Sequence, residues 1–116
     1  MLALKVAMAR VGEVGTVVFD EVDSGVGGAT AAAVGERLRR LSRDLQILVV
    51  THSPQVAALA DQHWLIRKTA TRAKASTDVI ALDEAGRREE LARMLSGAEV
   101  TAEARAAADR LLAARV

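Results

Sequence analysis

The sequence has 116 residues, 51% hydrophobic and 27% charged, with a formal net charge of +1 and no cysteine. That length bounds one domain or a piece of one, and the composition is that of a globular chain and not of a disordered tail. A charge so near zero gives no general pull toward nucleic acid or an anionic membrane, and the missing cysteines remove disulfides and thiolate metal sites. Two histidines are too few for a histidine-only zinc site, and the only aromatic residues, Phe19 and Trp64, leave no material for a base-stacking platform.

Leu2, Leu4, Val6 and Met8 stand among alanines with no breaker before Gly12, which predicts a helix over residues 2–10. No capping residue precedes it, so the expectation is a helix cut short at its start; Lys5 and Arg10 interrupt it as a signal core or membrane span. Gly12 and Gly15 frame a turn, and Thr16-Val17-Val18-Phe19 is a continuous β-branched and aromatic run of the kind found in strands buried on both faces. It ends on Asp20 and Glu21, and the glycine-rich turn Ser24-Gly25-Val26-Gly27-Gly28 comes next. From about Ala29 to Leu41, helical spacing places Ala33, Val34, Leu38 and Leu41 on one face with arginines opposite, and Ile47-Leu48-Val49-Val50 reads as a second buried strand.

Strand, helix and strand with short links make a βαβ unit, whose two strands are parallel. Ligands of open α/β sheets sit beyond the carboxyl ends of the strands, where Asp20, Glu21, Thr51 and His52 would gather. Ser53 is a candidate cap and Pro54 suits the first turn of a short helix through Ala60. Strands are expected from His63 to Lys68 and from Asp78 to Leu82, forming a hairpin at a sheet edge with Thr69 to Thr77 as its connection. Helices are expected from about Arg87 to Leu95 and from Ala102 to Ala114, with Gly97 as a helix stop and Thr101 as a cap.

TVVFDEVDSGVGG, residues 16–28, delivers adjacent carboxylates at the end of an apolar strand and then a glycine-rich turn. It resembles the Walker B motif and D-loop of ABC and SMC-type ATPases. Magnesium prefers oxygen ligands and keeps several waters, so Asp20 beside nucleotide phosphates suits a Mg2+ ligand. An adjacent carboxylate leaves the strand in a different direction, so Glu21 suits the group that orients the attacking water. His52 in LVVTHSPQVAA resembles the switch histidine that contacts the γ-phosphate. Asp23, Ser24, Gly25, Gly27 and Gly28 match the D-loop, which lies at the interface of two heads in those families.

Over nearly the whole chain the resemblance is to the RecN family of bacterial DNA-repair ATPases, carried by MLALK, FDEVDSGVGG, VTHSPQVAA and ELARMLSGAEVT. It implies an α/β fold, residues 1–116 forming the C-terminal lobe of an ABC/SMC-type head: a parallel βαβ core with Walker B and switch-histidine strands, an edge hairpin and C-terminal helices. It further implies ATP and Mg2+ as cofactors of the complete head. The implied partners are the N-terminal Walker-A-bearing lobe of the same protein, a second head in a homodimer, and DNA through the complete protein, with no membrane. The implied setting is the bacterial cytoplasm, at the nucleoid, in recombinational repair of DNA double-strand breaks.

Nothing in the sequence matches the G-x-x-x-x-G-K-[ST] phosphate loop, so these residues are expected to be inactive alone. Leu95-Ser96-Gly97 is similar to the LSGG signature but comes after Walker B, whereas in those families the signature precedes it; here it is expected upstream of Met1. Other readings stay open. Asp20, Glu21 and Asp23 could hold metal directly in a nuclease or phosphohydrolase, or the acidic strand end could belong to a non-catalytic interaction module. A solvated strand end, a capping histidine and an ordinary turn are the plain counterparts of the three motifs. Arg67, Lys68, Arg72 and Lys74 read as a solvated hairpin, with no DNA role assigned.

Overall fold

The computed structural model describes residues 15–21 and 25–115; the helix expected over 2–10 lies outside them, as do Asp23 and Ser24. The described elements are β1 (Thr16–Asp20), α1 (Gly28–Leu41), β2 (Gln46–Val50), α2 (Pro54–Ala57), β3 (Trp64–Ala70), β4 (Ala75–Ala81), α3 (Glu84–Ser96) and α4 (Ala102–Ala113).

β1 and β2 pair in parallel, with Val17 opposite Ile47 and Phe19 opposite Val49, and α1 makes the crossover between them. The inward positions of the two strands pack with Ala31, Leu38 and Leu41 of α1 and with Val56 of α2, and Phe19 is fully buried. Burying a side chain of that size stabilises by roughly 1.5–3 kcal/mol. The continuous apolar runs predict burial on both faces. Instead Val18 is 59% exposed and Val50 44%, because among the described residues the helices pack on one face of this strand pair. α1 is also rotated from its expected face: Ala31, Gly35, Leu38 and Leu41 are buried, whereas Ala33 is exposed. A Cβ on Gly35 would lie 2.7 Å from Leu59 Cδ1 and 3.3 Å from Val56 Cα, so a hydrogen at this position lets α1 lie against the segment after His52.

A second cluster joins Ala57 and Ala58 to Leu91 and Ala92 of α3 and Ala104 and Ala108 of α4. Small residues at these positions let the helices approach closely. On the outer side the α3–α4 pair is laced by Arg88 to Asp109 and Arg105 to Glu89. Both helices have the side-chain caps their first turns require: Asp83 Oδ1 accepts from Gly86 N at 2.7 Å and Thr101 Oγ1 accepts from Ala104 N at 3.1 Å. α3 therefore begins before the expected Arg87, and it stops at Gly97, whose φ is +85°.

β3 and β4 are an antiparallel pair running from Trp64 opposite Ala81 to Ala70 opposite Ala75. The strands extend well into the stretch expected as a loop, since Thr69, Ser76 and Thr77 suit a ribbon whose far end faces water. The connection is only the turn 71–74, closed by Thr71 N donating to the Lys74 carbonyl at 2.9 Å. The hairpin forms a two-stranded sheet of its own and is not hydrogen-bonded to the edge of β1–β2.

Candidate active site

The carboxyl ends of β1 and β2 converge because the two strands are parallel and in register, Asp20 opposite Val50. Pairing continues past β1, the Glu21 N–H donating to the Val50 carbonyl at 2.9 Å. Glu21 then takes φ +52°, and it is the one non-glycine residue with positive φ among those described. Such a conformation is disfavoured for L-residues, so the flanking structure must hold it. In this position Glu21 Oε1 lies 3.5 Å from His52 Nε2, an ion pair whenever the imidazole is protonated. Both groups are open to solvent, the side chains being 55% and 90% exposed.

His52 is fixed by the segment on its C-terminal side. The Ser53 N–H donates to Thr51 Oγ1 at 2.9 Å, and Ser53 Oγ accepts from Val56 N at 3.4 Å, capping α2 with Pro54 in its first turn. Thus the expected cap and proline act together to end β2 abruptly and turn the histidine back toward Glu21. On the opposite side, Gly25 has φ +78° and the Gly27 carbonyl accepts the first bond of α1, from Ala31 N at 2.8 Å. Gly28 is near Gln55 of the histidine segment, a Cβ there meeting Gln55 Nε2 at 3.6 Å.

Of the expected site residues, Asp20, Glu21 and His52 gather at the strand ends, with Gly25 and Gly27 in the turn leading to α1 and Gly28 as its first residue. Asp23 and Ser24 lie outside the described residues. Among the described residues no three acidic, histidine or cysteine side chains form a metal cage. Asp20, exposed at its strand end, fits a magnesium ion that takes its remaining ligands from phosphate and water. Leu95-Ser96-Gly97 ends α3, within the helical pair.

Arg87 is the residue that sequence reading missed. Only 2% exposed, it donates through Nη2 to the carbonyls of Ala57 (3.0 Å), Ala58 (3.2 Å) and Ala60, beyond the last turn of α2. Arg115 Nη1 meets the same Ala60 carbonyl at 3.0 Å. Burial, and next the Arg115 charge, pull the Arg87 guanidinium below its ordinary value. Within the run Arg87-Arg88-Glu89-Glu90, the available signal was spacing: Leu91, four residues on, puts Arg87 on the buried face of α3.

The parallel βαβ unit, which carries an Asp-Glu pair after one strand and a histidine after the next, has the fold of part of an ABC/SMC-type head. A solved chain from a structural study of ATP-driven dimerization and DNA-stimulated activation of SMC ATPases matches with a TM-score of 0.66 at 19% identity, over 84% of this chain and 58% of that one. No protein-family profile matches. In sequence the chain is RecN-type along nearly its whole length, corresponding to the C-terminal fifth of those proteins. It is 48% identical over 112 residues to the DNA repair protein RecN of Streptomyces coelicolor, covering 97% of this chain and 20% of that protein. The RecN proteins of Xylella fastidiosa and Rickettsia felis are each 46% identical, over 96% and 97% of this chain and again 20% of their own lengths. The chain thus spans about a fifth of the curated relatives it matches.

Proposed function

We propose that residues 1–116 form the C-terminal lobe of a RecN-type ATPase head, furnishing Walker B, the D-loop and the switch histidine for ATP hydrolysis in recombinational repair of DNA double-strand breaks. The observation that carries this reading is the 3.5 Å approach of Glu21 to His52 beyond two parallel strands. In the complete head, Mg2+ would neutralise charge on the ATP phosphates. Asp20 is the ligand this chain offers to the ion. Glu21 orients the attacking water, and His52 reaches the γ-phosphate from the neighbouring strand end. The phosphate loop comes from the N-terminal lobe of the same protein. A second head meets the first through the turn holding Asp23, Ser24, Gly25, Gly27 and Gly28. DNA engages the complete protein, in the bacterial cytoplasm at the nucleoid; no described helix is long and apolar enough to cross a membrane.

The test is Glu21→Gln in the full-length protein, measuring ATP binding and turnover separately. Removing a group that positions or deprotonates the nucleophile should slow hydrolysis by about 100-fold or more while ATP affinity holds. Parallel loss of binding and turnover would overturn the assignment.

A further inference from the structure

His52 stands two residues before a single turn of helix, and such a short helix cannot hold its own direction. α2 has four residues, so the carbonyls at its C-terminal end lack partners within it. The Ala57 carbonyl accepts from the Ala60 N–H at 3.3 Å, and the fold adds a buried cation from some 30 residues further along: Arg87 Nη2 faces the Ala57, Ala58 and Ala60 carbonyls together. No carboxylate hydrogen-bonds this guanidinium among the described residues, and its Nε, also buried, has no hydrogen-bond partner there. The side chain is therefore committed to the end of α2, where carbonyl dipoles attract a positive charge. Arg115 Nη1 adds a second donor to the Ala60 carbonyl, and its own carbonyl accepts from Arg39 Nη1 of α1. At the other end of the same turn, Ser53 caps the helix directly beside His52.

We infer that Arg87 is a positioning residue for the hydrolysis reaction: it clamps the C-terminal end of α2 and so sets the reach of His52 toward the γ-phosphate, with Arg115 as its auxiliary. The inference rests on the reading of His52 as the phosphate-contacting histidine. Arg87 does not touch nucleotide, and its effect passes through the short segment from Ser53 to Ala60. A lysine keeps the charge, but its side chain is one bond shorter than the path to Nη2, the atom that meets all three carbonyls, so Arg87→Lys loosens the clamp without leaving the site neutral.

The experiment is a double-mutant cycle in the full-length protein between Arg87→Lys and His52→Ala, reading kcat and KM for ATP with melting temperature as the folding control. Misplacing a reacting group by about 1 Å can cost on the order of 100-fold. The expected result for Arg87→Lys is a fall in kcat of about tenfold, with KM changed less than about twofold and no further fall in the His52→Ala background. If Arg87→Lys lowers kcat equally with and without His52, or leaves kcat unchanged in a folded protein, the inference is overturned while the role of His52 stands. If His52→Ala alone leaves kcat intact, the reading of His52 fails and the positioning role fails with it. Should Arg87→Lys not fold, Arg115→Met removes one donor to the Ala60 carbonyl, and the same cycle decides on the same criteria.

Discussion

Glu21 faces His52 at 3.5 Å only because Glu21 adopts a backbone conformation unfavourable to it, φ +52°. A side chain in that region costs roughly 1–2 kcal/mol, a cost that glycine largely escapes.

Stability and activity at position 21 should therefore part company. Glu21→Gly is expected to be more stable than Glu21→Ala by about 1 kcal/mol, although both remove the carboxylate and, on the proposed function, both should lose turnover in the complete protein. Denaturant unfolding of the two variants checks this; equal stability would mean that the positive φ is not strained in solution.

Gly35→Ala should destabilise despite alanine's better helix propensity. The new methyl would meet Leu59 Cδ1 at 2.7 Å and the Val56 backbone at 3.3 Å. Overpacking of this kind costs about 1–3 kcal/mol, against a propensity gain of about 1 kcal/mol. Leu59→Ala should recover part of the loss when added to Gly35→Ala, though by itself it destabilises, and the sign of the coupling energy from a double-mutant cycle is the measurement.

Acid should weaken the fold before the carboxylates begin to protonate. Burial, and next the charge of Arg87, hold the His63 imidazole below its ordinary 6.5, with Glu90 opposing them in part. His63 Nδ1 is buried without a hydrogen-bond partner. The unfolded chain takes up the proton first as pH falls, so this contribution is complete above 6.5 and is lost below it, toward the lower folded value. Glu89 and Asp109, held low by their Arg105 and Arg88 hydrogen bonds, act further down, below their ordinary 4.5 and 3.8. Melting temperature tracked from about pH 7.5 to about pH 5 should decline, and His63→Gln should flatten the decline. An unchanged slope in that variant would assign the acid sensitivity elsewhere.

Asp83→Ala and Thr101→Ala should each destabilise by about 1 kcal/mol, because each leaves a first-turn N–H without its side-chain acceptor. Serine at either position should restore most of the loss, as measured by urea unfolding.

The parallel unit and the gathering of Asp20, Glu21 and His52 were legible because two apolar runs with a helical spacing between them leave few topologies. Ser53, Pro54, Thr101 and Gly97 announced their local structure, each through a side chain or backbone preference that acts within a few residues. What stayed hidden depends on distant partners. The one-sided cover of Val18 and Val50 and the burial of Arg87 are set by packing between elements, and the extra length of β3 and β4 by their pairing with each other across a short turn. Arg87 is the clearest case, since local composition reads Arg87-Arg88-Glu89-Glu90 as a wet surface while the Ala57, Ala58 and Ala60 carbonyls make the first of these arginines interior.

The turn after His52 belongs to both apolar clusters: Val56 packs with Phe19 and Leu38, whereas the adjacent Ala57 and Ala58 pack with Leu91 and Ala108. On the proposed function, a genetic map of lost activity would therefore not be confined to the strand ends. Enlarging Ala92 or Ala108, remote in sequence from Asp20, Glu21 and His52 and buried in the helical pair, would press on the turn that follows the histidine. Alleles in α3 and α4 should thus include some that leave protein abundance normal and yet resemble an active-site lesion.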